Sequence, residues 1–169
     1  VYKHRNYYGI YKIYDEAERR FLVNGTTLHG AQYIPPARTG EAITYYHVKT
    51  PLGRLMTSGA FEFSCVGVIG LGTGTLAAYN DKSKVMDFFE LDYDVYKIAK
   101  GYFSYLDQSK GKVNFIFGDA RLALGKVPPK RYDLLIVDAF SSDSVPVHLL
   151  TLEAIAKYKE CIKDDGIIL

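Results

Sequence analysis

Three glycines and four acids carry the chemistry open to this sequence. Gly70, Gly72 and Gly74 stand in "VGVIGLGTGT", directly behind an apolar run at 66–69. Glycine is the costliest residue to order and offers no side-chain contact, so three in one loop imply that something approaches the backbone closely. Each acid ends an apolar run or lies just past one. Glu90 closes "KVMDFFE", Asp119 follows "NFIFG", Asp138 closes "YDLLIVD", and Asp143 lies in "SSDSVP" beyond it. Two carboxylates at one reacting centre attract a cationic amine, and one of them can take its proton and free the nitrogen lone pair for attack. Ser141 and Ser142 add hydroxyls beside that pair. A lone acid at a strand–helix junction is most often a helix cap, and Asp143 or Ser144 could cap a helix starting near Pro146. A set of acids on one rim is harder to explain by capping alone.

The glycine loop has two readings. Gly72-x-Gly74-x-x-Ala77 with Glu90 downstream meets a loose dinucleotide fingerprint. The alternative is the loop of S-adenosylmethionine-type enzymes, which packs under a nucleoside and its amino-acid-like tail. There the acid of the second strand takes the ribose hydroxyls and the acid of the third meets the adenine amino group. Asp119 supplies that third contact, which a dinucleotide does not need, so the nucleoside is favoured. His29, Gln32, Tyr45, Tyr46 and His47 reach such a site only if the N-terminal part folds over it, and ordinary packing is their commoner fate. His148 shows no evident role.

The elements needed to position these residues follow from the pattern. Residues 1–50 alternate in β fashion, with "YYGIYKIY" and "RFLVNG" around the turn "DEAER" and a hairpin signal at Asn24-Gly25. "AITYYHV" reads as a short strand, and 51–60 has no clear pattern. From 61 onward strands and helices alternate: "SCVGVIG", "KVMDFFE", "KVNFIF", "YDLLIVD" and "GIIL" as strands, with helices at "TGTLAAYN", "YDVYKIAKGYFSYL", "ARLALGKV" and "PVHLLTLEAIAKYKECI". That alternation predicts an α/β fold with a parallel sheet, whose strands are continuously apolar because both faces are covered. A small antiparallel β unit over 1–50 then precedes a Rossmann-like nucleoside-binding domain over 61–169. Ligands in such sheets bind beyond the carboxyl ends of the strands, where the glycines and acids stand.

Composition fits this reading. The chain has 169 residues, 48% hydrophobic and 24% charged, with a net charge of +2. That balance gives no argument for nucleic acid or an anionic membrane. No apolar run is long enough to span a bilayer and no signal peptide is visible. Cys65 and Cys161 match no metal spacing and read as buried free thiols of a cytoplasmic protein. The final "DDGIIL" reads as the opening of a strand, so a truncated C-terminal end is expected.

Six motifs in order resemble the polyamine aminopropyltransferases, the spermidine synthase family, and look most like its domains fused to membrane segments. "FLVNGTTLHGAQ" resembles the family's N-terminal β unit, with its Asp-Gly turn and downstream Gln. "ITYYHV" is similar to its "YHE" segment, and "VIGLGTGT" stands where it has "IGGGDGG". "FFELDYDVYKIAK" resembles its "EID" segment, "FGDARLAL" its "GDG" turn and "YDLLIVDAFSSDSVP" its "YDVIIxDSSDP". The resemblance implies aminopropyl transfer from decarboxylated S-adenosylmethionine to a putrescine-like amine, without metal, in a homodimer. It implies that Glu90 holds the ribose, Asp119 and Ala120 the adenine, and that Gln32 contacts the nucleoside. Asp138 would be the general base, with Asp143, Tyr46 and the Ser141 hydroxyl on the amine side. The chain departs from the pattern at three places. Thr73 stands where the family's loop has Asp, Val48 replaces the acid of "YHE", and Ala139 and Phe140 are additional between the acids. Each change removes or moves negative charge. A methyltransferase using intact S-adenosylmethionine, a non-catalytic nucleoside-binding domain and a nicotinamide dehydrogenase are the rival readings.

Overall fold

The computed structural model describes residues 1–35, 38–140 and 146–169. Residues 2–33 form an antiparallel sheet of β1 (Tyr2–Asn6), β2 (Gly9–Glu16), β3 (Arg19–Asn24) and β4 (Thr27–Tyr33), in that spatial order. The second sheet contains β5 (Cys65–Ile69), β6 (Val85–Glu90), β7 (Lys112–Phe117), β8 (Tyr132–Val137) and β9 (Ile162–Ile168). Its order is β7-β6-β5-β8-β9 and every neighbouring pair is parallel. The chain runs from β5 outward on one side and returns through β8 on the other. The crevice between β5 and β8 is therefore the switch point at which ligands bind in this architecture. Val66, Val68, Met86, Phe88, Leu134 and Leu135 are wholly buried, as strands covered on both faces require.

The helices are α1 (Pro51–Thr57), α2 (Tyr93–Tyr102), α3 (Tyr105–Gln108), α4 (Ala120–Leu124) and α5 (Leu152–Cys161). Several differ from expectation for local reasons. The patternless stretch after residue 50 holds α1, because Thr50 caps it by accepting from the Gly53 N–H and Pro51 takes the first helical position. The expected single helix over "YDVYKIAKGYFSYL" breaks at Phe103, which is extended (φ −122°, ψ 155°) and 4% exposed. Burying that ring outweighs one more helical turn. The helix expected over "TGTLAAYN" is only a 3-10 turn, Thr75–Tyr79, and that expected from Pro146 is a 3-10 turn, Val147–Leu149, followed by α5. "ITYYHV" forms no strand. Thr44–Tyr46 is a 3-10 turn entered at a positive φ of Thr44 (61°).

The small sheet shares one core with the large one. Tyr11, Ile13 and Leu22 pack in the same cluster as Val66, Leu71 and Phe88. Polar ties fix its position. The Tyr11 hydroxyl donates to Asp92 (2.8 Å), the Asn6 amide donates to the same carboxylate (2.7 Å), and the Tyr105 hydroxyl donates to the Ala31 carbonyl (3.0 Å). Cys65 and Cys161 are free, and burial pushes both thiols up, away from the reactive thiolate. No helix among the described residues is long and apolar enough to cross a membrane.

Candidate active site

A cavity of about 550 Å³ opens at the carboxyl ends of β5, β6, β7 and β8, roofed by the small sheet and the Thr44–Tyr46 turn. Gly70, Gly72, Glu90, Asp119, Ala120, Asp138 and Tyr46, all expected at the site, line it. Gly74 does not line it. Gln32 does not either, and is engaged elsewhere: its amide donates to the Ser104 hydroxyl (2.8 Å) and the Thr39 carbonyl (2.7 Å), and accepts from the Ser104 N–H (2.9 Å). It fastens β4 to the break between α2 and α3. Asp143 and Ser141 lie outside the described residues.

The glycines answer to the protein as much as to a ligand. Gly70 has φ +101°, and a Cβ there would stand 2.5 Å from the Asp138 carbonyl oxygen. Gly72 has φ +53°, and a Cβ there would stand 2.5 Å from the His29 carbonyl oxygen. The loop is thus pressed between β8 on one side and β4 on the other, and only glycine fits. Thr73, in the place of the family's loop acid, is buried and joins its hydroxyl to that of Thr75 (2.7 Å) rather than facing the cavity.

Glu90 anchors the loop. One carboxylate oxygen accepts from the Leu71 N–H (2.9 Å) and the other from the Asp92 N–H (2.8 Å). Each oxygen keeps a second lone pair, enough for two ligand hydroxyls. Burial pushes its pKa from 4.5 to about 7, against those backbone hydrogen bonds. Asp119 does cap α4, but with one oxygen only: Oδ1 accepts from the Arg121 N–H (2.8 Å) and the Leu122 N–H (3.4 Å). Asp138 is pushed up to about 6 by burial, opposed by a hydrogen bond from the Tyr46 hydroxyl. Tyr46 is 4% exposed and packs its ring at a tilt against Tyr45, and its carbonyl accepts from the Tyr79 hydroxyl. Its hydroxyl therefore orients Asp138 from a fixed position.

Sequence reasoning passed over Asp92, gave His148 no role, and brought His29 to the site only on the condition that the N-terminal part folds over it, which it does. Asp92 lines the cavity while capping α2, and its signal was the second acid of "ELD". His29 lines it from a bulge in β4. Leu22 pairs with Gly30 and Val23 with Leu28, which leaves His29 as the extra residue, with a buried and unpartnered Nε2. Bulges next to sites re-aim side chains in this way. His148 lines it from the 3-10 turn after Pro146. No Lys or Arg lines the cavity among the described residues.

No family model matches the chain. Over 107 residues it is 33% identical to the polyamine aminopropyltransferase of Vibrio vulnificus, covering 60% of this chain and 35% of that protein. Over 144 residues it is 30% identical to the N-terminal histidine N-methyltransferase of Emericella nidulans, covering 80% of this chain and 25% of that protein. The chain thus spans about a third or less of the length of the curated relatives it matches. Its fold superposes on the crystal structure of a probable spermidine synthase from Corynebacterium glutamicum with a TM-score of 0.80. That match covers 99% of this chain and 62% of the other, at 15% identity. The six motifs, the aminopropyltransferase match and the paired sheets agree: in sequence and in fold, the chain is spermidine-synthase-like.

Proposed function

We propose that this chain is a transferase domain that binds decarboxylated S-adenosylmethionine and passes its aminopropyl group to a small polyamine-type amine. One observation carries the reading. The cavity is lined by Glu90, Asp92, Asp119 and Asp138 and by no Lys or Arg among the described residues, so it suits a ligand whose charged groups are all positive. A sulfonium nucleoside with an ammonium tail and an incoming amine are both of that kind.

The residues divide the work as follows. Glu90, pinned by two backbone N–H groups, accepts the ribose hydroxyls. The free oxygen of Asp119 and the small side chain of Ala120 receive the nucleobase. Asp138 takes a proton from the attacking ammonium. The nitrogen then forms a bond to the carbon next to sulfur, the carbon–sulfur bond breaks, and its electron pair returns to sulfur in departing methylthioadenosine. Holding both reactants in one cavity removes the entropy of their encounter. The homodimer belongs to the same proposal, since β1 leaves its outer edge unpaired among the described residues.

Methyl transfer from intact S-adenosylmethionine is the second reading. Thr73 favours it, because the loop offers no acid to repel the carboxylate of the intact molecule. Calorimetric titration separates the two. Decarboxylated S-adenosylmethionine should bind at least tenfold more tightly than the intact form, since no Lys or Arg among the described residues lines the cavity to meet the extra carboxylate. The reverse order would replace aminopropyl transfer by methyl transfer. A further expectation concerns pH. With Asp138 held at about 6, kcat/KM should rise as pH increases through that value and level off above it. The same limb persisting in Asp138→Asn would mean that Asp138 is not the base.

A further inference from the structure

The part of the cavity around Asp119 has a partner that aminopropyl transfer does not explain. Capping of α4 occupies Oδ1 of Asp119 and leaves Oδ2 facing the His148 Nε2 at 3.9 Å. That separation is too long for a hydrogen bond. The two groups stand side by side with no hydrogen bond between them, and both remain open, their side chains 28% and 43% exposed. The wall around them is small and apolar, made by Gly118, Ala120, Pro146 and Leu149. A flat ring with apolar faces and a polar edge fits such a slot. An ionised carboxylate only accepts hydrogen bonds, whereas a neutral imidazole N–H donates one. Side by side, they match an exocyclic amine next to an unprotonated ring nitrogen, which is the edge of a 6-aminopurine.

We propose that His148 is a base-reading residue: with Asp119 it forms a two-point clamp on the nucleobase, donating to N1 or N7 while Asp119 accepts from the exocyclic amine. The clamp rests on the nucleoside reading above, and it extends that reading from ribose recognition to choice of base.

The test uses methylthioadenosine and its 1-deaza and 7-deaza analogues, each lacking one ring nitrogen, titrated into the unsubstituted chain and into His148→Leu and His148→Gln. The unsubstituted chain should bind one of the two analogues about tenfold more weakly than methylthioadenosine, as expected for one lost hydrogen bond. His148→Leu should bind methylthioadenosine about tenfold more weakly and no longer distinguish it from that analogue. His148→Gln, which keeps an N–H donor, should recover part of the loss. Equal affinity of His148→Leu and the unsubstituted chain for methylthioadenosine would overturn the clamp. So would a loss of the same size for all three ligands, which marks a packing effect rather than a read atom. Absence of methylthioadenosine binding by the unsubstituted chain would instead remove the nucleoside reading itself.

Discussion

Asp138→Asn should lower kcat by two to four orders of magnitude while leaving the affinity for methylthioadenosine within about twofold, the range expected for loss of a positioned general base. Asn has the shape of Asp and can still accept from the Tyr46 hydroxyl, so the cavity should keep its form. What disappears is the carboxylate to which the proposal gives the proton of the attacking amine. Burial gives that group its strength, raising it from 3.8 to about 6, yet it stays largely ionised at pH 7.5. Tyr46→Phe separates orientation from basicity. The Tyr46 hydrogen bond holds the Asp138 pKa down, so its loss should move the acid limb of kcat/KM above 6 and lower kcat by about tenfold. A rate for Asp138→Asn within threefold of the unsubstituted chain would show that the amine loses its proton elsewhere.

The rim of acids was legible in the sequence because it depends on local grammar. A continuously apolar run ending in Glu90, Asp119 or Asp138 reads as a buried parallel strand with an acid at its carboxyl end, and parallel strands bring those ends to one edge of the sheet. The meaning of the glycines was half legible. Their closeness to something was evident, but Gly70 and Gly72 are pressed first by the carbonyls of Asp138 and His29. Residues joined across long stretches of chain were not legible in the spacing, and only the family resemblance brought Tyr46 to the site. Tyr46 meets Asp138 across 92 positions, and its neighbours Tyr45 and His47 imitate a strand that a 3-10 turn replaces. Gln32 stood in a motif tied to nucleoside contact, yet its amide is consumed by Ser104 and Thr39. Whether a polar side chain faces a ligand or fastens two elements depends on which element packs over it. The spacing of residues within one segment carries no record of that.

Glu90→Gln should act on stability and binding in opposite directions. The carboxyl rises from 4.5 to about 7 on folding because burial disfavours its charge. Between those values the folded state holds a proton that the unfolded chain has released, so stability falls as pH rises through the window. The penalty is absent below the unfolded pKa and reaches on the order of 3 kcal/mol above 7. Gln does not titrate. It loses one of the two backbone hydrogen bonds that Glu90 accepts, from Leu71 or Asp92, at every pH. The difference in unfolding free energy between variant and unsubstituted chain should therefore shift by about 2 to 3 kcal/mol in favour of the variant between pH 5 and pH 8. Urea melts at the two pH values measure it, and parallel curves would show that Glu90 titrates in contact with water. Nucleoside binding should weaken tenfold to a hundredfold, on the order of what hydrogen bonds to a charged group contribute. One cause underlies both effects. In the proposed binding mode, ribose hydroxyls would donate to the charged carboxylate and so relieve the penalty that folding imposes on it. Binding of methylthioadenosine near pH 6.5 should then release a proton, visible as a buffer-dependent heat with the unsubstituted chain and reduced with Glu90→Gln.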